Sequence, residues 1–165
     1  MTIDKLYLVG FMGAGKSTVA RALARRLGWR AEDVDERIEA RERRSVSAIF
    51  AQDGEPYFRR VERQVLTDLL ANREVVVATG GGTFADPENQ AVMLSDGRVA
   101  WIDVPFSHIV ERVPADGRRP LAADRAQLEQ LYVRRQPSYA LAHIRIDGCR
   151  PVAEIVERLL DWIGY

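Results

Sequence analysis

Gly10-Phe11-Met12-Gly13-Ala14-Gly15-Lys16-Ser17 is the stretch that decides the fold of this chain. It follows the apolar run Leu6-Tyr7-Leu8-Val9 and precedes a helical pattern, so it joins a predicted strand to a predicted helix. The spacing G-x-x-x-x-G-K-[ST] is that of the phosphate-binding P-loop, which requires this strand–loop–helix context. The glycines let successive backbone N–H groups converge on a phosphate, and the following helix points its positive end there. The sequence therefore predicts a nucleotide-binding loop.

The P-loop motif also predicts which residues bind the nucleotide. Lys16 is expected to reach the β- and γ-phosphates, and the Ser17 hydroxyl is expected to ligate Mg²⁺. Of the 24 basic residues in the chain, only Lys5 and Lys16 are lysines. A compact ammonium at this position, in a chain that otherwise uses arginine, indicates that arginine would not serve there. The predicted ATP-binding residues of the loop are Gly13, Ala14, Gly15, Lys16, Ser17 and Thr18.

Composition restricts the kinds of partner and compartment. A chain of 165 residues with 47% hydrophobic residues fits a single globular domain over 1–165. The 24 basic and 24 acidic residues cancel, so composition gives no case for a nucleic-acid partner. The one cysteine, Cys149, excludes an internal disulfide and fits a reducing compartment. Apolar runs fall short of the roughly 20 residues that a membrane span needs, and the N-terminus lacks a signal core, so we expect a cytoplasmic protein without a membrane partner.

Strand and helix signals alternate along the chain, which predicts a parallel sheet flanked by helices. The predicted strands are 5–9, a short strand ending near 33, 74–78, 99–104 and 143–147. The predicted helices are 16–27, about 34–43, one starting at 45, one after a break at 54–56, one ending near 112, 124–135 before Pro137, and 152–163. Residues 114–123 have no apolar periodicity and predict an exposed mobile loop.

Two acidic residues follow the second predicted strand, at the sheet edge where open α/β sheets bind ligands. The period-2 spacing of Asp33 and Asp35 would aim both carboxylates to the same side while the chain stays extended. One could order the Mg²⁺ water shell or accept a hydroxyl proton, and the other could bind substrate hydroxyls. The alternative is a pair of acids that complements a helix dipole, with Asp35 as the N-cap.

Two further motifs indicate an anion-binding pocket. Arg59 and Glu62 face each other at i,i+3 on a predicted helix, and an arginine held by a carboxylate can bind an anionic substrate, although a surface ion pair is the alternative. Gly80-Gly81-Gly82 follows a predicted strand, and three glycines allow the backbone to approach a ligand closely where a plain turn needs fewer. Many P-loop proteins carry an acidic residue at this strand end. Its absence makes Asp33 the nearest candidate for the Mg²⁺ shell, with Asp103 on the next predicted strand as a weaker alternative.

Together these motifs resemble the shikimate kinase family of small P-loop kinases. The resemblance covers most of the chain through the motifs at 10–18, 33–35, 58–62, 80–82, Arg119-Pro120-Leu121 and Arg135-x-Pro137-x-Tyr139. It implies a three-layer α/β sandwich whose five-stranded parallel sheet has the order 2-3-1-4-5, with helices on both faces. It also implies an acceptor-binding helical region at about 34–62 and a mobile lid at about 113–124. The implied reaction transfers the γ-phosphoryl of ATP, with Mg²⁺, to the 3-hydroxyl of shikimate in a monomeric enzyme.

The resemblance also implies a role for individual residues. In the acceptor pocket, Asp35 would bind ring hydroxyls, Arg59 and Arg135 would hold the carboxylate, and the backbone of Gly81 and Gly82 would complete the wall. The implied catalytic residues are Lys16, Asp33 and the lid arginine Arg119, which also contacts the nucleotide phosphates. Arg112 would lie against adenine and Arg150 would flank it. A gluconate-type kinase and a nucleotide-dependent binding module remain as alternative functions.

Overall fold

The computed structural model describes residues 2–112 and 124–165. Within these residues the strands are β1 (Lys5–Val9), β2 (Arg30–Asp33), β3 (Val75–Ala78), β4 (Arg98–Asp103) and β5 (Ile144–Asp147). The α-helices are α1 (Lys16–Leu27), α2 (Val34–Glu42), α3 (Val46–Leu69), α4 (Pro87–Asp96), α5 (Phe106–Arg112), α6 (Arg125–Tyr139) and α7 (Val152–Ile163), and a short 3₁₀ helix covers Thr83–Ala85. No helix in 2–112 or 124–165 is long and apolar enough to cross a membrane.

The strands form one parallel sheet in the order β2-β3-β1-β4-β5, which confirms the predicted order. Every residue of β1 and of β3 is buried, as expected for strands that are covered on both faces. The chain travels outward from β1 to β2 through α1, then returns across the sheet from β2 to β3 and from β3 to β4. Since such crossovers are right-handed, the reversal places α1 on one face and α3 and α4 on the other. Helix α7 packs beside α1, which completes the sandwich.

A buried polar network closes the amino end of the sheet. Lys5 is fully buried, and its Nζ donates to the carbonyl of Leu69 at 2.6 Å and pairs with Asp96 at 2.8 Å. Tyr7 and Arg73 each donate to the same carboxylate at 2.6 Å. Burial alone would raise the pKa of Asp96, but these hydrogen bonds hold that pKa below its ordinary value. The network therefore joins the first strand to the ends of α3 and α4.

Two helices differ from the sequence-based prediction. Helix α4 is not predicted, because only Asn89 and Met93 on it are buried and its apolar periodicity is weak. Asp86 caps it and Pro87 occupies its first turn, and this start signal could have revealed the helix. The second difference concerns the helix predicted over 124–135. The prediction that it ends before Pro137 is wrong, since α6 continues to Tyr139. The burial of Tyr139 offsets the backbone hydrogen bond that proline removes.

The other predicted helix and strand boundaries agree closely with the structure. Ser45 caps α3 by accepting from the N–H of Ala48, as its position predicts. The predicted break at 54–56 is a kink inside α3, where Gly54 has φ 82° and ψ 172°. The predicted lid at about 113–124 and its Arg119 lie outside the described residues, apart from Asp124, which caps α6.

Candidate active site

The P-loop, residues 10–17, curls between the end of β1 and the start of α1. Gly10 has φ 147°, and a Cβ there would lie 2.5 Å from the carbonyl oxygen of Ile102 on β4. Gly15, the N-cap of α1, has φ 91°. Both positions thus need glycine, one for close packing and both for the left-handed backbone. The result is a tight loop that directs the amino end of α1 into its centre.

Lys16 lies within this curl. Its side chain is 8% exposed, and Nζ donates to the carbonyls of Gly10 at 2.5 Å and Phe11 at 2.9 Å. The ammonium is therefore buried against the loop backbone at the amino end of α1. A cation in this position can neutralise charge on phosphates that the loop binds.

Asp33 and Asp35 lie in different places. The Ser17 hydroxyl donates to the carboxylate of Asp33, which also caps α2 by accepting from the N–H of Glu36 at 3.1 Å. The hydroxyl and carboxylate form an oxygen donor set of the kind that Mg²⁺ prefers. Asp35 lies in the first turn of α2, and its Oδ1 would be 3.0 Å from a Cβ placed on Gly80.

The expectation that both carboxylates point to the same side is therefore wrong, and so is the alternative that Asp35 is the N-cap. The strand period ends at Asp33, because this residue caps the helix that begins at Val34. Asp33 consequently contacts the P-loop, whereas Asp35 enters a neighbouring pocket.

That pocket, which we call the acceptor pocket, lies between the P-loop, α2, α3, the glycine segment 80–82 and α6. It contains all five predicted acceptor-binding residues. Its lining is Met12, Asp35, Val46, Phe50, Phe58, Arg59, Glu62, Gly80, Gly81, Gly82 and Arg135. Residues that are 100 positions apart in sequence thus meet beside the phosphate-binding loop.

Arg59 is held in the acceptor pocket by carboxylates. Its Nη1 lies 3.1 and 3.2 Å from the two oxygens of Glu62, and its Nη2 lies 3.2 Å from Glu55. Glu62 is fully buried and also accepts from the Thr83 hydroxyl at 2.9 Å. Burial would lower the pKa of Arg59, but Glu62 and Glu55 raise it above its ordinary value. The interaction is thus a partly buried positioning network rather than a surface ion pair.

Arg135 is placed differently. It is 7% exposed, and its guanidinium lies over the ring of Phe11 at 5.9 Å. Among residues 2–112 and 124–165 it forms no ion pair with a carboxylate. Burial lowers its pKa, yet a guanidinium stays protonated in proteins. Arg135 is therefore a buried cation whose charge is available to an anion in the pocket.

The glycine segment passes between these two guanidiniums. A Cβ on Gly81 would lie 3.2 Å from Nη1 of Arg135, and a Cβ on Gly82 would lie 2.5 Å from Nη2 of Arg59. Side chains at 81 and 82 would crowd or displace the arginines. The run of glycines is therefore required by close approach, as its sequence indicates.

The acceptor pocket also has an apolar wall, which is not among the predicted site residues. The rings of Phe50 and Phe58 pack with centroids 4.8 Å apart, and Met12 and Val46 complete the wall. These side chains look like ordinary core residues in sequence. Phe50 and Phe58 lie on opposite sides of the kink at Gly54, so helical spacing does not indicate that they meet. The pocket can thus hold the carbon skeleton of a small acceptor against apolar groups while polar groups bind its other side.

The residues predicted near adenine are more scattered. Arg112 at the end of α5 donates to the carbonyl of Gly13 at 3.3 Å, so it lies beside the P-loop. Arg150 is exposed after β5, where it pairs with Asp147 at 3.4 Å. These contacts place Arg112, but not Arg150, against the phosphate-binding loop.

A lysine-bearing P-loop that adjoins a pocket with two arginines and an aspartate is the site of a P-loop small-molecule kinase. Such a site binds a nucleoside triphosphate on one side and a small anionic acceptor on the other. The family model "Shikimate kinase" matches residues 12–164 of this chain. The chain therefore belongs to the shikimate kinase family.

Similar proteins support this family assignment. The shikimate kinase of Persephonella marina is 42% identical over 161 residues, which cover 96% of this chain and 98% of the relative. The solved structure of shikimate kinase from Acinetobacter baumannii in complex with shikimate is 34% identical, with a TM-score of 0.94 over 99% of this chain and 94% of that one. A gluconokinase from Sinorhizobium meliloti is 19% identical, with a TM-score of 0.62 over 98% of this chain and 91% of that one, and shares the fold alone.

Proposed function

We propose that this chain transfers the γ-phosphoryl group of ATP to the 3-hydroxyl of shikimate, giving shikimate 3-phosphate and ADP. The observation that carries this proposal is the acceptor pocket beside the P-loop, in which Arg59 and Arg135 enter from two different helices. A ring with one carboxylate and several hydroxyls suits two guanidiniums, one aspartate and an apolar wall. The shikimate bound to the Acinetobacter baumannii relative supports the same acceptor.

In this mechanism the acceptor is held by charge and by shape. Arg59 and Arg135 bind the carboxylate, and the planar guanidinium allows paired hydrogen bonds to its two oxygens. Asp35 accepts hydrogen bonds from ring hydroxyls, and the backbone at Gly81 and Gly82 closes the wall. Positioning of this kind supplies most of the acceleration in phosphoryl transfer, because the reacting group needs little covalent chemistry from the protein.

At the nucleotide side, the P-loop backbone cradles the phosphates and Lys16 neutralises charge on the transferred group. Mg²⁺ would be held by the Ser17 hydroxyl and, through water, by Asp33, and it would neutralise negative charge on the β- and γ-phosphates. The Ser17–Asp33 contact supports this assignment, because it brings two hard oxygen donors to the start of α1. Two roles are open to Asp33: it orders the Mg²⁺ water shell alone, or it also takes the proton of the attacking hydroxyl.

The remaining roles follow from the family resemblance. Arg119, on a lid at about 113–124, is proposed to cover the phosphates and to neutralise transition-state charge while closure excludes water. Arg112 is proposed to lie against adenine, for which its contact with Gly13 is the support. Arg150 is proposed to flank adenine from the loop after β5. Residues 34–62 form the acceptor-binding region of a single domain over 1–165.

The experiment that tests this function measures ADP release with shikimate, with gluconate and without an acceptor. We expect turnover with shikimate alone. Shikimate methyl ester is the matched control acceptor, because it keeps the ring hydroxyls but removes the charge that the two arginines bind. Turnover with gluconate alone would refute the assigned acceptor, and ADP release that needs no acceptor would favour a nucleotide-dependent binding module.

We further propose that the chain acts as a monomer in the cytoplasm, without a nucleic-acid or membrane partner. The equal numbers of acidic and basic residues support the absence of a nucleic-acid partner, since they give no overall attraction to polyanions. Light scattering coupled to size-exclusion chromatography tests the monomeric state. A mass near 18.6 kDa supports the monomer, and about twice that mass contradicts it.

A further inference from the structure

Tyr139 is a fully buried residue in the last turn of α6 that the proposed transfer does not use. Its hydroxyl donates to the carbonyl oxygen of Gly81, 58 positions earlier in the chain. Its ring packs on Trp101 of β4 with the centroids 5.9 Å apart. Tyr139 therefore ties the end of α6 to the glycine segment of the acceptor pocket.

Arg135 lies beside Gly81 as well as beside Tyr139. A Cβ on Gly81 would lie 3.2 Å from Nη1 of Arg135 and 3.3 Å from the backbone nitrogen of Met12. The guanidinium and the P-loop backbone therefore both lie beside Gly81, and the guanidinium also interacts directly with the Tyr139 hydroxyl. A shift of the Gly81 peptide would move the guanidinium relative to the loop that binds the phosphates.

The two arginines of the acceptor pocket are held by groups of different charge. Arg59 contacts the carboxylates of Glu62 and Glu55, which offset part of its charge. Arg135 forms no such pair within 2–112 and 124–165, and its neighbour on the same helix face is the neutral Tyr139. Burial raises the pKa of Tyr139 far above its ordinary value, so the phenol stays uncharged at physiological pH. Arg135 is thereby placed without losing charge.

We propose that Tyr139 is a positioning residue for the acceptor. Its hydroxyl fixes the Gly81 peptide and contacts the neighbouring Arg135 guanidinium, and together these contacts direct Arg135 toward the carboxylate of the acceptor. A carboxylate at position 139 would pair with Arg135 and compete with the acceptor, whereas a phenol does not. The inference rests on the proposed function, since it requires an anionic acceptor.

Tyr139→Phe tests the proposal, because it keeps the buried ring and removes the hydroxyl alone. We expect the KM for shikimate to rise about tenfold, as for the loss of one hydrogen bond that orders a charged ligand. The kcat and the KM for ATP stay close to those of the unchanged chain. Tyr7→Phe is the matched control, since Tyr7 is also fully buried and its hydroxyl donates to Asp96 at the opposite end of the sheet. It should lower the Tm and leave both KM values unchanged.

A double-mutant cycle then tests the route through Arg135. In an Arg135→Lys background, we expect Tyr139→Phe to add little to the KM for shikimate. Multiplication of the two effects would overturn the proposal, and so would an unchanged KM in Tyr139→Phe. A lower kcat at an unchanged KM would also overturn it, because it indicates a smaller folded fraction.

The same variants separate this inference from the proposed function. If the unchanged chain phosphorylates gluconate and not shikimate, the assigned acceptor is wrong. The KM for gluconate then replaces the KM for shikimate in the cycle, because gluconate also carries a carboxylate. A rise in that KM supports Tyr139 as a positioning residue, and an unchanged KM refutes it.

Discussion

Replacing Gly82 by alanine should weaken acceptor binding without removing a charge from the site. Gly82 has φ −103° and ψ −4°, which alanine adopts without left-handed strain. Its new Cβ would nevertheless lie 2.5 Å from Nη2 and 2.8 Å from Cζ of Arg59. Because non-bonded heavy atoms settle at about 3.5 Å, the guanidinium must retreat by roughly 1 Å.

The magnitude follows from the contacts that this retreat disturbs. Nη1 of Arg59 lies 3.1 and 3.2 Å from the oxygens of Glu62, so the displaced guanidinium keeps neither its present geometry with Glu62 nor its alignment with the acceptor carboxylate. The displaced guanidinium also loses a hydrogen bond to the carboxylate of the acceptor. A hydrogen bond to a charged group contributes about 1.5–3 kcal/mol, so its loss corresponds to about a ten- to hundredfold rise in the KM for shikimate. The free energy of unfolding should fall by about 1–3 kcal/mol, because Glu62 remains buried with a poorer partner.

The assay is ADP release, with shikimate titrated at saturating ATP and ATP titrated at saturating shikimate. The KM for ATP should stay unchanged. Gly28→Ala is the matched control, because Gly28 caps α1 at φ 70° and a Cβ there meets nothing within 4 Å. It should cost about 1 kcal/mol of stability and leave the KM for shikimate unchanged. A wild-type KM in Gly82→Ala, or an equal rise in Gly28→Ala, would refute the reasoning.

Three further predictions concern single side chains. Arg59→Ala should raise the KM for shikimate at least about tenfold in ADP-release titrations while ATP binding survives; equal loss of both affinities would make Arg59 structural. Lys16→Arg should lower kcat about a hundredfold or more, because the buried ammonium leaves little room for a guanidinium, and near-normal turnover would contradict this. The pKa of Asp96 is lowered in the folded state. The stabilisation that Asp96 contributes is therefore fully present above its unfolded-state pKa of about 4, and it is lost as the pH falls through the lower folded-state pKa. In denaturant titrations over pH, Asp96→Asn should be less stable at neutral pH by about 3 kcal/mol and vary less in acid, and an unchanged acid dependence would contradict this.

The sheet and the P-loop could be predicted because their signals are local. Buried parallel strands are short apolar runs, and the run at 75–78 is followed, after Thr79, by three glycines. The rarity of lysine was also a useful signal. Both lysines are buried, Lys5 at the amino end of the sheet and Lys16 in the P-loop. Helix α4 lacked such a signal over its body, because it buries few apolar residues.

The acceptor pocket could be predicted only in part. Its charged residues stood out as motifs, but the separation of Asp33 from Asp35 depends on where a strand becomes a helix, and that boundary is set by a cap. The apolar wall gives no signal in sequence, and the motif that contains Tyr139 gives that residue no role, since a buried aromatic residue cannot be told from an ordinary core residue until its partners are known. The hydrogen bond from Tyr139 to Gly81 joins distant parts of the chain and has no local signature.

The most direct test of the proposed function is to identify the compound that receives the phosphoryl group. The chain is incubated with ATP labelled in its γ-phosphoryl and with equal concentrations of shikimate and gluconate, and the labelled product is identified by ³¹P NMR and mass spectrometry. We expect the label in shikimate 3-phosphate. Label in phosphogluconate, or in inorganic phosphate alone, would contradict the account.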